Sequence, residues 1–121
     1  MAYKHNTVEY GFGQLGSVIS AGTGALTPPK NKVFVAITML ADTVFNASNG
    51  LVADNKISSG LEYIGTEDAA HDTVLSPDGG ESGAGGTVAD TITFPKGITI
   101  YGRWTKITNN AATPIVAYIG D

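Results

Sequence analysis

The sequence predicts an all-β single domain, a β-sandwich or jelly-roll-like barrel with little or no helix. Three observations carry that expectation. Over residues 94–107, Ile98, Ile100, Gly102 and Trp104 share one parity while Thr99, Tyr101, Arg103 and Thr105 share the other. Successive side chains of a strand point to opposite faces, so this is the pattern of a half-buried strand. Residues 32–41 are apolar on both parities, with Val33, Val35, Ile37 and Met39 on one and Phe34, Ala36 and Leu40 on the other. That suits a strand covered on both faces, or one covered on one face at a subunit interface, and its β-branched residues argue against a helix. Finally, 16 of 121 residues are glycine and only 15% are charged, a balance that favours many tight connections between strands.

The elements follow in order. Residues 1–10 are polar apart from Tyr3, Val8 and Tyr10 and form an N-terminal arm ahead of a domain over 11–121. The arm either frays, as termini do unless docked, or lies on a neighbouring subunit through its tyrosines. Gly11-Phe-Gly-Gln-Leu-Gly16 matches G-x-G-x-x-G literally. A dinucleotide site needs a strand before that motif and a helix after it. Here two more glycines and Pro28-Pro29 follow, so a short strand around 15–20 is expected and no cofactor.

Thr43-Val-Phe-Asn-Ala47, Ser48-Asn-Gly50 and Leu51-Val-Ala53 read as a hairpin, because Asn-Gly tolerates the positive φ of a tight turn. Asn46-Ala-Ser48 matches a glycosylation sequon that is expected to stay unused without a secretory leader. A further short strand is expected at 61–65. Its Glu62-Tyr-Ile-Gly65 echoes Ala117-Tyr-Ile-Gly120, although four residues do not make a repeat. Residues 66–89 are acidic and glycine-rich and are expected to form a flexible solvent-exposed loop. A calcium loop is the competing reading, but the carboxylates are scattered and no EF-hand spacing is present, so no metal is expected. Residues 90–94 and 98–107 read as a second hairpin around Pro95-Lys-Gly97, with a type I turn. Gly102 in mid-strand signals a bulge or a close backbone approach. Residues 109–114 turn the chain into a last strand.

Composition narrows function. Formal net charge is −4 and no basic cluster occurs, whereas nucleic-acid binders neutralise phosphates with basic stripes. Nucleic acid is therefore not an expected partner. No stretch approaches the ~20 apolar residues that span a bilayer, so no membrane partner is expected either. With no cysteine and two histidines, disulfides and thiolate sites drop out and a zinc site has little to work with. His5 and His71 lie in no nucleophile turn. Glu62 and Glu67 offer a carboxylate pair, but any acidic chain does. No enzyme is expected. Arg103 and Trp104, with Tyr63, Tyr101 and Tyr118, admit two readings: aromatics exposed for stacking on sugars, or Trp104 in the core with Arg103 along the outer face. The alternation favours the second.

Residues 94–107, Phe-Pro-Lys-Gly-Ile-Thr-Ile-Tyr-Gly-Arg-Trp-Thr-Lys-Ile, with Val-Ala-Tyr-Ile-Gly at 116–120, resemble the C-terminal part of small virion proteins of tailed bacteriophages. The resemblance covers about the last quarter of the chain and carries no catalytic residues. It implies a β-rich particle component: a capsid decoration (cement) protein that binds and stabilises the assembled head through the major capsid protein, or else a fibre or knob module that binds a host receptor or carbohydrate. It further implies assembly in the bacterial cytoplasm, a place on the capsid surface, and a homo-oligomer, a trimer by analogy with decoration proteins at local three-fold axes. The absence of disulfides and of a secretory leader suits assembly of that kind, with release by lysis. The contacts expected of a cement protein are the arm residues Tyr3, Lys4, His5 and Tyr10 with the glycine-rich loop; those expected of a recognition module are Arg103 and Trp104 with the same acidic loop.

Overall fold

A computed structural model describes residues 15–47, 50–54, 64–66 and 88–121. Five strands are formed: β1 (Ser17–Ser20), β2 (Val33–Met39), β3 (Leu51–Ala53), β4 (Thr99–Ile107) and β5 (Ile115–Gly120). They make one sheet in the order β1-β5-β2-β4-β3, every neighbouring pair antiparallel. The protein is all-β.

The apolar run at 32–41 becomes β2, the central strand, with β5 on one side and β4 on the other. Its double parity has a backbone cause. Against β5, Phe34 faces Ile119 and Ala36 faces Tyr118, so Val35 is an extra residue. Against β4, Phe34 faces Trp104 and Ala36 faces Tyr101, so there the extra residue falls on β4, at 102–103. A bulge changes which parity faces inward. Phe34, Ile37 and Met39 accordingly all reach the core, while Val33 and Ala36, also buried, belong to the opposite face.

In β4 the even-numbered parity holds through Ile100 and Trp104, which are buried. Ile98, before the strand begins, is exposed. Beyond Trp104, Lys106 faces Val52 and Trp104 faces Ala53, so Thr105 is extra against β3. This second bulge turns Ile107 rather than Lys106 into the core. The irregularity at 102–103 leaves the parity of β4 unchanged and the one at Thr105 shifts it, so the inward set is Ile100, Trp104 and Ile107.

The core packs on one face of the sheet: Phe34, Ile37, Met39, Ile100, Trp104, Ile107, Ile115, Ala117 and Ile119, with Phe45, Leu51, Ala89 and Phe94 joining them. Each large side chain buried in this way contributes about 1.5–3 kcal/mol. Among the described residues the strands form a single sheet, and isolated bridges tie further segments to it and to one another. Thr43 and Phe94 exchange both backbone hydrogen bonds at 2.8 Å, Leu26 and Ile107 do so at 2.8 and 2.9 Å, and Phe45 bridges Asn109. These bridges bring Phe45 and Phe94 edge to face, with centroids 5.5 Å apart.

Both expected hairpins are replaced by non-local pairings. Residues 43–45 bridge Phe94 and Asn109, while β3 pairs with β4. Gly50 serves a close approach instead of a positive φ: its N–H donates to the Asn46 carbonyl at 2.8 Å, and an added Cβ would lie 2.2 Å from that oxygen. Phe94 pairs with Thr43, not back onto β4. The chain does turn at 95–98, where Ile98 N–H reaches the Pro95 carbonyl and Gly97 has φ 90°. A positive φ at the second central position makes it type II, not type I. Residues 1–10, most of 61–65 and nearly all of the 66–89 loop lie outside the described residues, as do Ser48 and Asn49.

Candidate interaction surface

The register sorts the other face of the sheet into two rows. Ile19 faces Val116, Val116 faces Thr38, and Thr38 faces Thr99. One step along, Ser17 faces Tyr118, Tyr118 faces Ala36, and Ala36 faces Tyr101. No charged side chain lies in either row. The hydroxyls of Thr38 and Thr99 meet at 2.7 Å across the strands, one donating to the other. Ala36 has no exposed surface although it sits on this outer face, since its register neighbours are two tyrosines. Tyr101 is 56% exposed and Ile19 67%. These two rows thus make an uncharged platform with an aromatic group near one end and an aliphatic one at the other.

A polar clasp bounds it. Arg103 Nε lies 3.3 Å from Asp54 Oδ2, and Arg103 Nη1 donates to the Asp121 carbonyl at 2.9 Å. Asp54 N–H donates to the Arg103 carbonyl at 2.8 Å, so the two residues are joined through backbone and side chain together. Lys32 Nζ pairs with the Asp121 carboxylate. The clasp therefore ties β4 to the end of β3, and the end of β5 to the start of β2. A planar guanidinium with donors in a fixed fork suits this double role better than an ammonium.

Of the expected contact residues, Trp104 is fully buried. Its indole N–H donates to the Ile64 carbonyl at 2.6 Å, so its ring belongs to the core and is not a contact surface in this chain. Arg103 lies on the outer side with a third of its side chain exposed, already engaged by Asp54 and Asp121. Tyr3, Lys4, His5 and Tyr10 lie outside the described residues. Ile19, Thr38 and Val116 were not singled out in the sequence as contact residues. Their common face depends on which distant strands pair, and no local pattern reports that. Among the described residues no three His, Cys, Asp or Glu side chains come together. No family model, no curated protein and no solved structure matches this chain.

Proposed function

We propose that this chain is a bacteriophage head decoration (cement) protein, seating on the assembled lattice and tying neighbouring major capsid protein subunits together. The observation that supports this reading is the uncharged outer face, where Ile19 and Tyr101 stand exposed. A face without charge that exposes large apolar groups such as these is suited to association. The resemblance of residues 94–107 and 116–120 to phage virion proteins supplies the kind of partner.

A ligand of the closed lattice raises its stability by mass action. Heads lacking this protein should therefore disrupt at a higher temperature in scanning calorimetry once it is added back. No shift at saturating protein would discard the reading. The exposed Tyr101 favours a second reading, a carbohydrate-binding module at a fibre tip, because tyrosine faces stack on sugars. Blank results from a glycan array and from host-cell binding would exclude it.

A further inference from the structure

The two edges of the sheet are finished differently. At β3 the outer side is occupied: Thr66 N–H donates to the Leu51 carbonyl at 3.0 Å, Leu51 N–H donates to Thr66 Oγ1 at 3.1 Å, and Ala89 N–H in turn reaches the Gly65 carbonyl at 2.8 Å. At β1 no described residue pairs with the far side. The register shows which groups are left there. Ile119 N–H donates to the Gly16 carbonyl at 2.9 Å, while Ser17 faces Tyr118 and Val18 faces Ala117. Hydrogen-bonded and non-hydrogen-bonded pairs alternate along an antiparallel ladder. Val18 and Ser20 therefore bond to β5, and the N–H and C=O of Ser17 and Ile19 point away from it.

Natural sheets protect open edges with charge, proline or a bulge. This edge has none of these. Ser17-Val-Ile-Ser20 is uncharged, as are all of residues 15–29 and the whole of β5 behind it. The chain carries a formal charge of −4, and this uncharged edge adds no like charge to oppose a second copy. Ile19, exposed to 67%, is the most exposed of the large described hydrophobics.

We propose that β1 pairs antiparallel with β1 of a second copy about a two-fold axis, Ile19 of each chain facing Ile19 of the other. Each Ile19 then exchanges both backbone hydrogen bonds with its counterpart. The two five-stranded sheets become one ten-stranded sheet, with the uncharged outer platforms continuous across the axis. A two-fold axis perpendicular to the sheet keeps both platforms on one side, which the parity of an Ile19–Ile19 pair requires. The proposal stands apart from the virion reading, and it replaces the three-fold association that the resemblance implies.

The test is sedimentation velocity of the full chain across a concentration series. The wild type should show a reversible monomer–dimer equilibrium. Ile19→Lys should raise the dissociation constant about tenfold or more, with an unchanged melting temperature in dilute solution, since this side chain is exposed and its ladder to β5 is untouched. The chain has no cysteine, so Ile19→Cys introduces a single thiol. Directly opposed residues of a hydrogen-bonded pair lie about 5.5 Å apart at Cα, within disulfide reach. Mild oxidation should link Ile19→Cys into a covalent dimer but leave Thr105→Cys without a cross-link. A wild type that is monomeric throughout, a trimer, or a dimer indifferent to Ile19→Lys with no Ile19→Cys cross-link would each overturn the proposal.

Discussion

The six-membered ring of the Trp104 indole occupies the place where a side chain of Gly102 would stand. A Cβ on Gly102 would lie 2.7 Å from Cζ2 and 3.0 Å from Cη2 of that ring. A strand with glycine two residues before its tryptophan lets the indole fold back along its own backbone. The ring then fills the core between β2 and the segment at 64–66, to which its N–H is bonded. The glycine is needed for volume, because its φ is not in the left-handed region.

Gly102→Ala should therefore destabilise the fold. The obstructing atoms belong to a rigid buried ring that cannot swing aside as a flexible side-chain end would. Overpacking of this kind costs about 1–3 kcal/mol. Chemical denaturation followed by the fluorescence of the single tryptophan would measure it. A variant as stable as the parent would show that the indole has room to move.

Trp104→Phe separates the ring from its hydrogen bond. Phenylalanine keeps an aromatic body but leaves the Ile64 carbonyl without the indole donor and part of the site empty. Losing this part-buried hydrogen bond costs about 0.5–1.5 kcal/mol, and the smaller ring adds a cavity term. Scanning calorimetry should show a clear fall in melting temperature, larger than for a conservative change at exposed Tyr101. Equal falls at the two positions would contradict the account of Trp104 as the anchor of the 64–66 segment.

These relationships mark where the sequence was informative. Apolar runs and parity located β2 and β4 and put Trp104 inside with Arg103 outside, and the strands expected near 15–20, at 51–53 and after 109–114 correspond to β1, β3 and β5. Turn chemistry misled about partners. Asn49-Gly50 and Pro95-Lys-Gly97 are local signals, whereas Thr43 and Phe94 pair with each other across 51 residues of sequence. Glycine itself is ambiguous in a sequence. Gly50 and Gly102 are there for close approach and Gly97 for its positive φ, yet the three look alike on the page. The bulge at Thr105 left no signal beyond Ile107 falling out of phase. The outer face was legible only as the odd parity of β4, since its other rows come from strands distant in the chain.

Gly120 and Val35 form a second steric pair, at the bulge of β2. A Cβ on Gly120 would lie 2.5 Å from Val35 Cγ1 and 3.1 Å from Cγ2. Valine is stiff at χ1 and cannot rotate away freely. Gly120→Ala should cost about 1–3 kcal/mol by overpacking and should cost much less when combined with Val35→Ala, which removes both methyls and leaves a Cβ approach of 3.3 Å. Contacting residues couple in this manner. Additive effects in the double variant, measured by urea denaturation, would rule out the steric explanation.

The Arg103–Asp54 pair is the last relationship open to measurement. Its side chains are 34% and 19% exposed, so solvent screens the attraction and the pair is expected to contribute modestly. A double-mutant cycle of Arg103→Ala and Asp54→Ala should give a coupling of about 0.2–1 kcal/mol, the range of solvent-screened ion pairs. Added salt should shrink that coupling, because the Debye length falls from about 10 Å at 0.1 M to about 3 Å at 1 M. The backbone bond from Asp54 N–H to the Arg103 carbonyl survives both substitutions, so β3 should remain paired with β4 in each variant. A coupling that salt leaves unchanged would show that the contact between the two side chains is not electrostatic.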